Sequence, residues 1–141
     1  MMLGSGGSEP SFVAVSARAA PHICPPRAPT DDDALLDLLR SGTPPAVLQN
    51  DRLKTELMGR VRADFQLVSE HRWLGTPPLA CPLAVYGGDT DDGVSAVALA
   101  RWRDLAGTQF RMNLLPGDHF FYQTCLPDFL RLLESHIREF V

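Results

Sequence analysis

The sequence predicts an α/β fold in which parallel strands are joined by crossover helices, with a helical insertion at about residues 30–73. Two observations carry this. The short apolar runs "FVAV" (12–15) and "LAVY" (83–86) have strand length and no wet-face alternation, which suits strands covered on both sides. Beyond the second run, strand-like and helix-like periodicities alternate to the end of the chain, as a parallel sheet with crossovers requires.

The elements follow in order. Residues 1–10, rich in Gly and Ser, read as a flexible N-terminus, and 11–141 as one domain. After "FVAV", the prolines of "APHICPPRAPT" forbid regular structure and mark a connector. Thr30 followed by Asp31, Asp32 and Asp33 is a helix start: the hydroxyl can cap the first amides and the carboxylates suit the positive end of the helix dipole. Leu35, Leu36, Leu38 and Leu39 supply the apolar face, and Gly42 with Pro44 and Pro45 ends the helix. From Arg52 to Trp73 the residues Leu53, Leu57, Val61, Phe65 and Val68 recur at helical spacing. "LAVY" then runs into the polar turn "GGDTDDG", and Val94, Val97, Ala98, Trp102 and Leu105 form one helical stripe. "QFRMNLL" (109–115) alternates apolar and polar residues, like a strand near a sheet edge. Leu126, Phe129, Leu130, Leu133, Ile137 and Phe140 line a closing helix.

Composition narrows the function classes. Hydrophobic residues make up 45% of the chain and charged residues 21%, as in soluble globular proteins. A formal charge of -4 without a Lys/Arg cluster argues against a nucleic-acid partner. No apolar run approaches the roughly 20 residues of a membrane span, and "MMLGSGGSEP" has no basic leader or apolar core of a secretion signal. Cys24, Cys81 and Cys125 form no CxxC pair, so they read as reduced thiols of a cytoplasmic protein.

Loops at the carboxyl ends of parallel strands carry chemistry. One such loop holds Asp89, Asp91 and Asp92; the other, "LLPGDHFFYQ", holds Asp118 and His119. A single helix separates their strands, so the loops should be neighbours on one side of the sheet. An aspartate of the first could then accept a hydrogen bond from His119, fixing its tautomer and stabilising the imidazolium formed when it takes a proton. The bland alternatives are helix-capping aspartates and a structural turn histidine. A Ca²⁺ or Mg²⁺ site on Asp89, Asp91 and Asp92 is disfavoured, because an EF-hand loop counted from Asp89 would put Ala100 at the acidic twelfth position. His22 reads as a loop anchor, Asp64 as an exposed helical charge and Trp73 and Trp102 as packing.

From "FVAVSARAAPH" onward the chain resembles type II thioesterases of the α/β-hydrolase superfamily, the proofreading partners of polyketide and nonribosomal peptide synthases. "SARAAPH" resembles the segment after the family's mid-sheet strand, and "SGTPPAVL…VRADF" its lid motif. "CPLAVYGGDTDDGVS" is similar to the loop bearing the triad acid, and "FRMNLLPGDHFFYQ" to the loop bearing the triad histidine. The resemblance covers residues 11–141 and implies the C-terminal portion of an α/β-hydrolase fold, with a lid insertion at about 30–73. It puts Asp91 on the acid position and His119 on the base position. Asp118 stands where many relatives have Gly, and Gly93 where Pro or a bulkier residue is common; neither touches the two roles. The implied activity is hydrolysis of acyl thioesters on the phosphopantetheine arm of an acyl or peptidyl carrier protein, with no cofactor or metal.

The family's nucleophile is the serine of a G-x-S-x-G turn. Ser8 and Ser95 have Gly two places before but Pro10 and Val97 two places after, and Ser5 leaves no room for the following helix. The sequence therefore reads as truncated before the nucleophile, with neither Cys81 nor Cys125 placed to replace it. The alternative is an inactive fragment or carrier-binding module, complemented in one version by a separate N-terminal half.

Overall fold

The computed structural model describes residues 9–23, 29, 31–40 and 42–141. In chain order the elements are β1 (Val13–Ser16), α1 (Asp32–Arg40), α2 (Pro45–Leu48), α3 (Asp51–Glu70), β2 (Leu83–Gly88), α4 (Ala96–Ala100), a 3-10 helix (Arg101–Leu105), β3 (Phe110–Leu115), α5 (Phe121–Thr124) and α6 (Leu126–Phe140). They form two compact units: Met1–Ala20 with Thr76–Val141, and Pro21–Gly75.

The first unit is built on a parallel sheet ordered β1-β2-β3 among the described residues. Val13 pairs with Leu83 and Val15 with Val85; on the other side Leu83 pairs with Phe110 and Gly88 with Leu115. β2 is buried over its whole length, as its unbroken apolar run requires. β1, expected to be buried like β2, instead alternates half-buried and exposed residues, because it lies at the margin of this sheet. β3 lies at the other margin; Arg111 is exposed as the alternation predicts, but the wet face does not continue, since Leu115 is buried and Leu114 exposed.

On one face Ala84 and Tyr86 of β2, Leu115 of β3, Phe121 and Cys125 form the core, with Phe129, Leu132 and Leu133 of α6 packed against it. Phe129 meets the edges of both Tyr86 and Phe121, at centroid distances of 5.3 and 5.5 Å. On the other face Leu99 of α4 packs against Gly87, where an added Cβ would fall 2.3 Å from its Cδ1.

Two predicted stripes are displaced. Val97 is 74% exposed while Leu99 is fully buried, because Val94 lies before the Ser95 cap and does not set the phase of the helix that follows. On α6, Leu126, Leu130 and Ile137 are exposed, and the buried face instead includes His136. That histidine has a buried partner: its Nδ1 lies 2.6 Å from the Tyr86 hydroxyl.

The second unit packs α1 against α3, with Leu35, Leu39 and Met58 buried and Leu36, Leu57, Val61 and Phe65 around them. The Thr30 cap lies outside the described residues. Asp31 fills the capping role: its Oδ1 accepts the Ala34 amide at 2.8 Å. Asn50 does the same for α3, taking the Arg52 and Leu53 amides at 3.1 Å each. The prolines expected only to stop α1 also begin a further helix, α2, with Pro45 at its start. Among the described residues no helix is long and apolar enough to cross a membrane.

Candidate active site

The carboxyl ends of β2 and β3 open side by side, since the strands are parallel and hydrogen-bonded along their length. Their loops are tied directly: the Asp89 amide donates to the Leu115 carbonyl at 2.9 Å and the Thr90 amide to the Gly117 carbonyl at 3.0 Å. Gly88 sits where no side chain fits. A Cβ there would lie 2.1 Å from the Asp118 carbonyl oxygen and 2.2 Å from that of Gly117. Gly117 has φ +131°, a region that favours glycine.

His119 Nδ1 lies 2.9 Å from Asp91 Oδ2. The Asp91 side chain is 1% exposed, and that of His119 is 39% exposed. The two oxygens of Asp91 have separate tasks. Oδ1 accepts the Gly93 amide at 2.8 Å and the Val94 amide at 3.0 Å, so the carboxylate is fixed by its own loop. Oδ2 is left to face the ring. A carboxylate only accepts, so Nδ1 carries the shared proton and Nε2 keeps a lone pair. The arrangement can therefore hold an imidazole in one tautomer, with its basic nitrogen free to take a proton and a buried charge behind it.

On its own loop His119 is preceded by an aspartate turn, Asp118 Oδ1 accepting the Phe120 amide at 2.8 Å. Its ring meets the Phe120 ring edge-on, with centroids 5.2 Å apart.

The other expected residues lie elsewhere. Asp92 is exposed, and Asp64 is exposed on α3. Asp89 and Asp91 turn their carboxylates to different backbone amides, and among the described residues no three His, Cys, Asp or Glu side chains converge on a common point. His22 packs near Trp73, ring centroids 6.4 Å apart, and the Trp102 indole donates to the Arg18 carbonyl at 2.7 Å. Cys81 and Cys125 are buried free thiols, and Cys125 donates to the Phe121 carbonyl; Cys24 lies outside the described residues. One contact had no signal in the sequence: Asp89 Oδ1 accepts the Gly117 amide at 3.0 Å.

Comparison with known proteins agrees with this architecture. The family model for the thioesterase domain matches residues 2–137. Over 119 residues the chain is 37% identical to the gramicidin S biosynthesis protein GrsT of Aneurinibacillus migulanus, covering 79% of this chain and 46% of that protein. Two solved structures are similar. The thioesterase RedJ from the prodiginine biosynthetic pathway of Streptomyces coelicolor has a TM-score of 0.79 and 27% identity over 96% of this chain and 54% of its own. The type II thioesterase BorB from the borrelidin biosynthetic cluster has a TM-score of 0.71 and 26% identity over 89% and 54%. The chain thus spans about half the length of the relatives it matches. With nearly every residue inside the family match and a parallel sheet to go with it, the chain belongs to the thioesterase domain family, carries part of the α/β-hydrolase fold, and is similar to type II members of that family.

Proposed function

We propose that this chain supplies the acid–base half of a serine-type thioesterase that hydrolyses acyl groups from the phosphopantetheine arm of a carrier protein, in the cytoplasm, in an editing role beside a polyketide or nonribosomal peptide synthase. His119 acts through Nε2 as general base toward the attacking hydroxyl and then as general acid toward the departing thiolate. Asp91 orients the ring and balances its positive charge. The observation that carries the reading is the 2.9 Å contact between His119 Nδ1 and a carboxylate already held by two amides. Acyl accommodation is assigned to the helical unit, which has a half-open pocket of about 280 Å³ lined by Pro29, Leu35 and Phe65 and by the polar Arg62, Gln66 and Ser69.

The sequence contains no G-x-S-x-G, and that favours a second reading: a carrier-binding module without turnover. One assay separates the two. An acyl-carrier thioester is offered to the chain alone, and to the chain mixed with an N-terminal half that bears a G-x-S-x-G serine. The first reading expects turnover in the mixture, falling roughly a million-fold with His119→Ala. Carrier binding without hydrolysis in either sample would decide for the second, and brisk hydrolysis by the chain alone would overturn the assignment of the nucleophile to another segment.

A further inference from the structure

We infer that Asp89 is a positioning residue: its carboxylate, by holding the Gly117 amide, sets the distance at which His119 meets Asp91. The inference rests on the acid–base reading of His119 but is tested without turnover.

The geometry separates what is fixed locally from what is not. Asp91 is oriented within its own loop by the Gly93 and Val94 amides. His119 is oriented within its own by the Asp118 turn, where Asp118 Oδ1 takes the Phe120 amide and the Asp118 carbonyl takes the Phe121 amide at 3.1 Å. Neither set of bonds fixes one loop relative to the other. That task falls to residues 88–90. The Asp89 and Thr90 amides reach the Leu115 and Gly117 carbonyls, Gly88 lets the backbones close, and Asp89 Oδ1 takes the Gly117 amide. Gly117 is thus held at both its polar groups, its carbonyl by Thr90 and its amide by Asp89, two residues before the histidine. The charged acceptor makes this the stronger kind of hydrogen bond. It also joins two segments 28 residues apart, whereas the Asp118 and Asp91 bonds to amides are local.

Removing the acceptor should leave the sheet intact and loosen the second loop's approach. The readout is the Nδ1 proton of His119, followed by ¹⁵N–¹H NMR in the full 141-residue chain. Its exchange with water reports how persistently the Asp91 contact is made. Asp89→Ala should accelerate exchange about five- to tenfold, the effect of losing one hydrogen bond of ordinary net strength. Asp89→Asn, which keeps an oxygen acceptor in place, should restore exchange to within about twofold. In the unaltered chain the Gly117 amide should be protected from deuterium exchange, a measurement that needs no variant. Unchanged Nδ1 exchange in Asp89→Ala, equal acceleration in Asp89→Asn, or an unprotected Gly117 amide would each overturn the inference. Failure of hydrolysis in the complementation assay, with these exchange effects intact, would instead count against the catalytic reading alone.

Discussion

At the scale of single residues, Gly88 and Asp91 show two ways of building a short contact. Gly88 contributes by having nothing to offer: any Cβ would overlap two backbone carbonyls, neither of which can rotate away. Gly88→Ala should therefore force the loops apart, costing about 3 kcal/mol in denaturant unfolding and weakening the Nδ1 proton signal of His119. Asp91 contributes charge without mobility. Asp91→Asn presents either an amide oxygen or an amide nitrogen to the ring, which permits the wrong tautomer; in a complemented thioesterase it should lower turnover by roughly ten-thousand-fold with little change in carrier binding. That an aspartate of the first loop could reach His119 was readable because both loops follow strands joined by one crossover, and parallel topology then leaves them little choice of side; that the aspartate is Asp91 came from the family resemblance. The role of Asp89 was not readable, because its partner is a backbone amide whose position exists only once the sheet has formed.

Among the elements, α6 shows where periodicity misleads. Counting leucines and isoleucines puts Leu126, Leu130 and Ile137 inward, yet the buried face carries His136. A polar ring is buried only where it has a partner, and no pattern along one helix reveals a tyrosine on a strand fifty residues earlier. Burial pushes the Tyr86 phenol up to about 12, so it keeps a proton that it can donate to His136 Nδ1. Burial also lowers the proton affinity of His136 below the ordinary imidazole value, with Glu139 raising it and Arg111 lowering it further. In the unfolded chain that ring titrates near its ordinary value of about 6.5, so below it the unfolded state binds more protons. Stability should therefore be full above that pH and fall away as pH drops through the lowered value of the folded chain. Thermal melts taken between about pH 8 and 5 should show this decline. His136→Phe should flatten it, while costing about 1–3 kcal/mol at the alkaline end by leaving the Tyr86 hydroxyl without an acceptor. The mis-phased stripe of α4 has a simpler origin: Val94 precedes the Ser95 cap, so a period of 3.6 counted from it gives the wrong face for Ala96–Ala100.

For the whole molecule, the division into two units is the main fact. The His119–Asp91 pair, the Asp89 contact and the sheet beneath them all belong to the unit of Met1–Ala20 and Thr76–Val141. Replacing residues 21–75 by a flexible Gly-Ser linker should therefore preserve the Nδ1 proton resonance of His119. In a complemented enzyme the same replacement should alter the ranking of acyl chains by length, measured as relative kcat/KM. An unchanged ranking would remove the helical unit from substrate selection. The insertion was legible in the sequence as an interruption of the strand–helix rhythm. The extra helix α2 was not, since two adjacent prolines signal both an ending and a beginning.

The same division has a consequence for how the chain is made. Among the described residues Val13 finds its sheet neighbour in Leu83, and the whole helical segment is synthesised in between. Local helices close quickly and distant strand pairing slowly, so the helical lobe should finish folding before β1 pairs with β2. A nascent chain stalled before Leu83 would lack both the strand that pairs with Val13 and the loop that receives the histidine. In such a product β1 (Val13–Ser16) has no β2 to pair with, and cleavage there should report it.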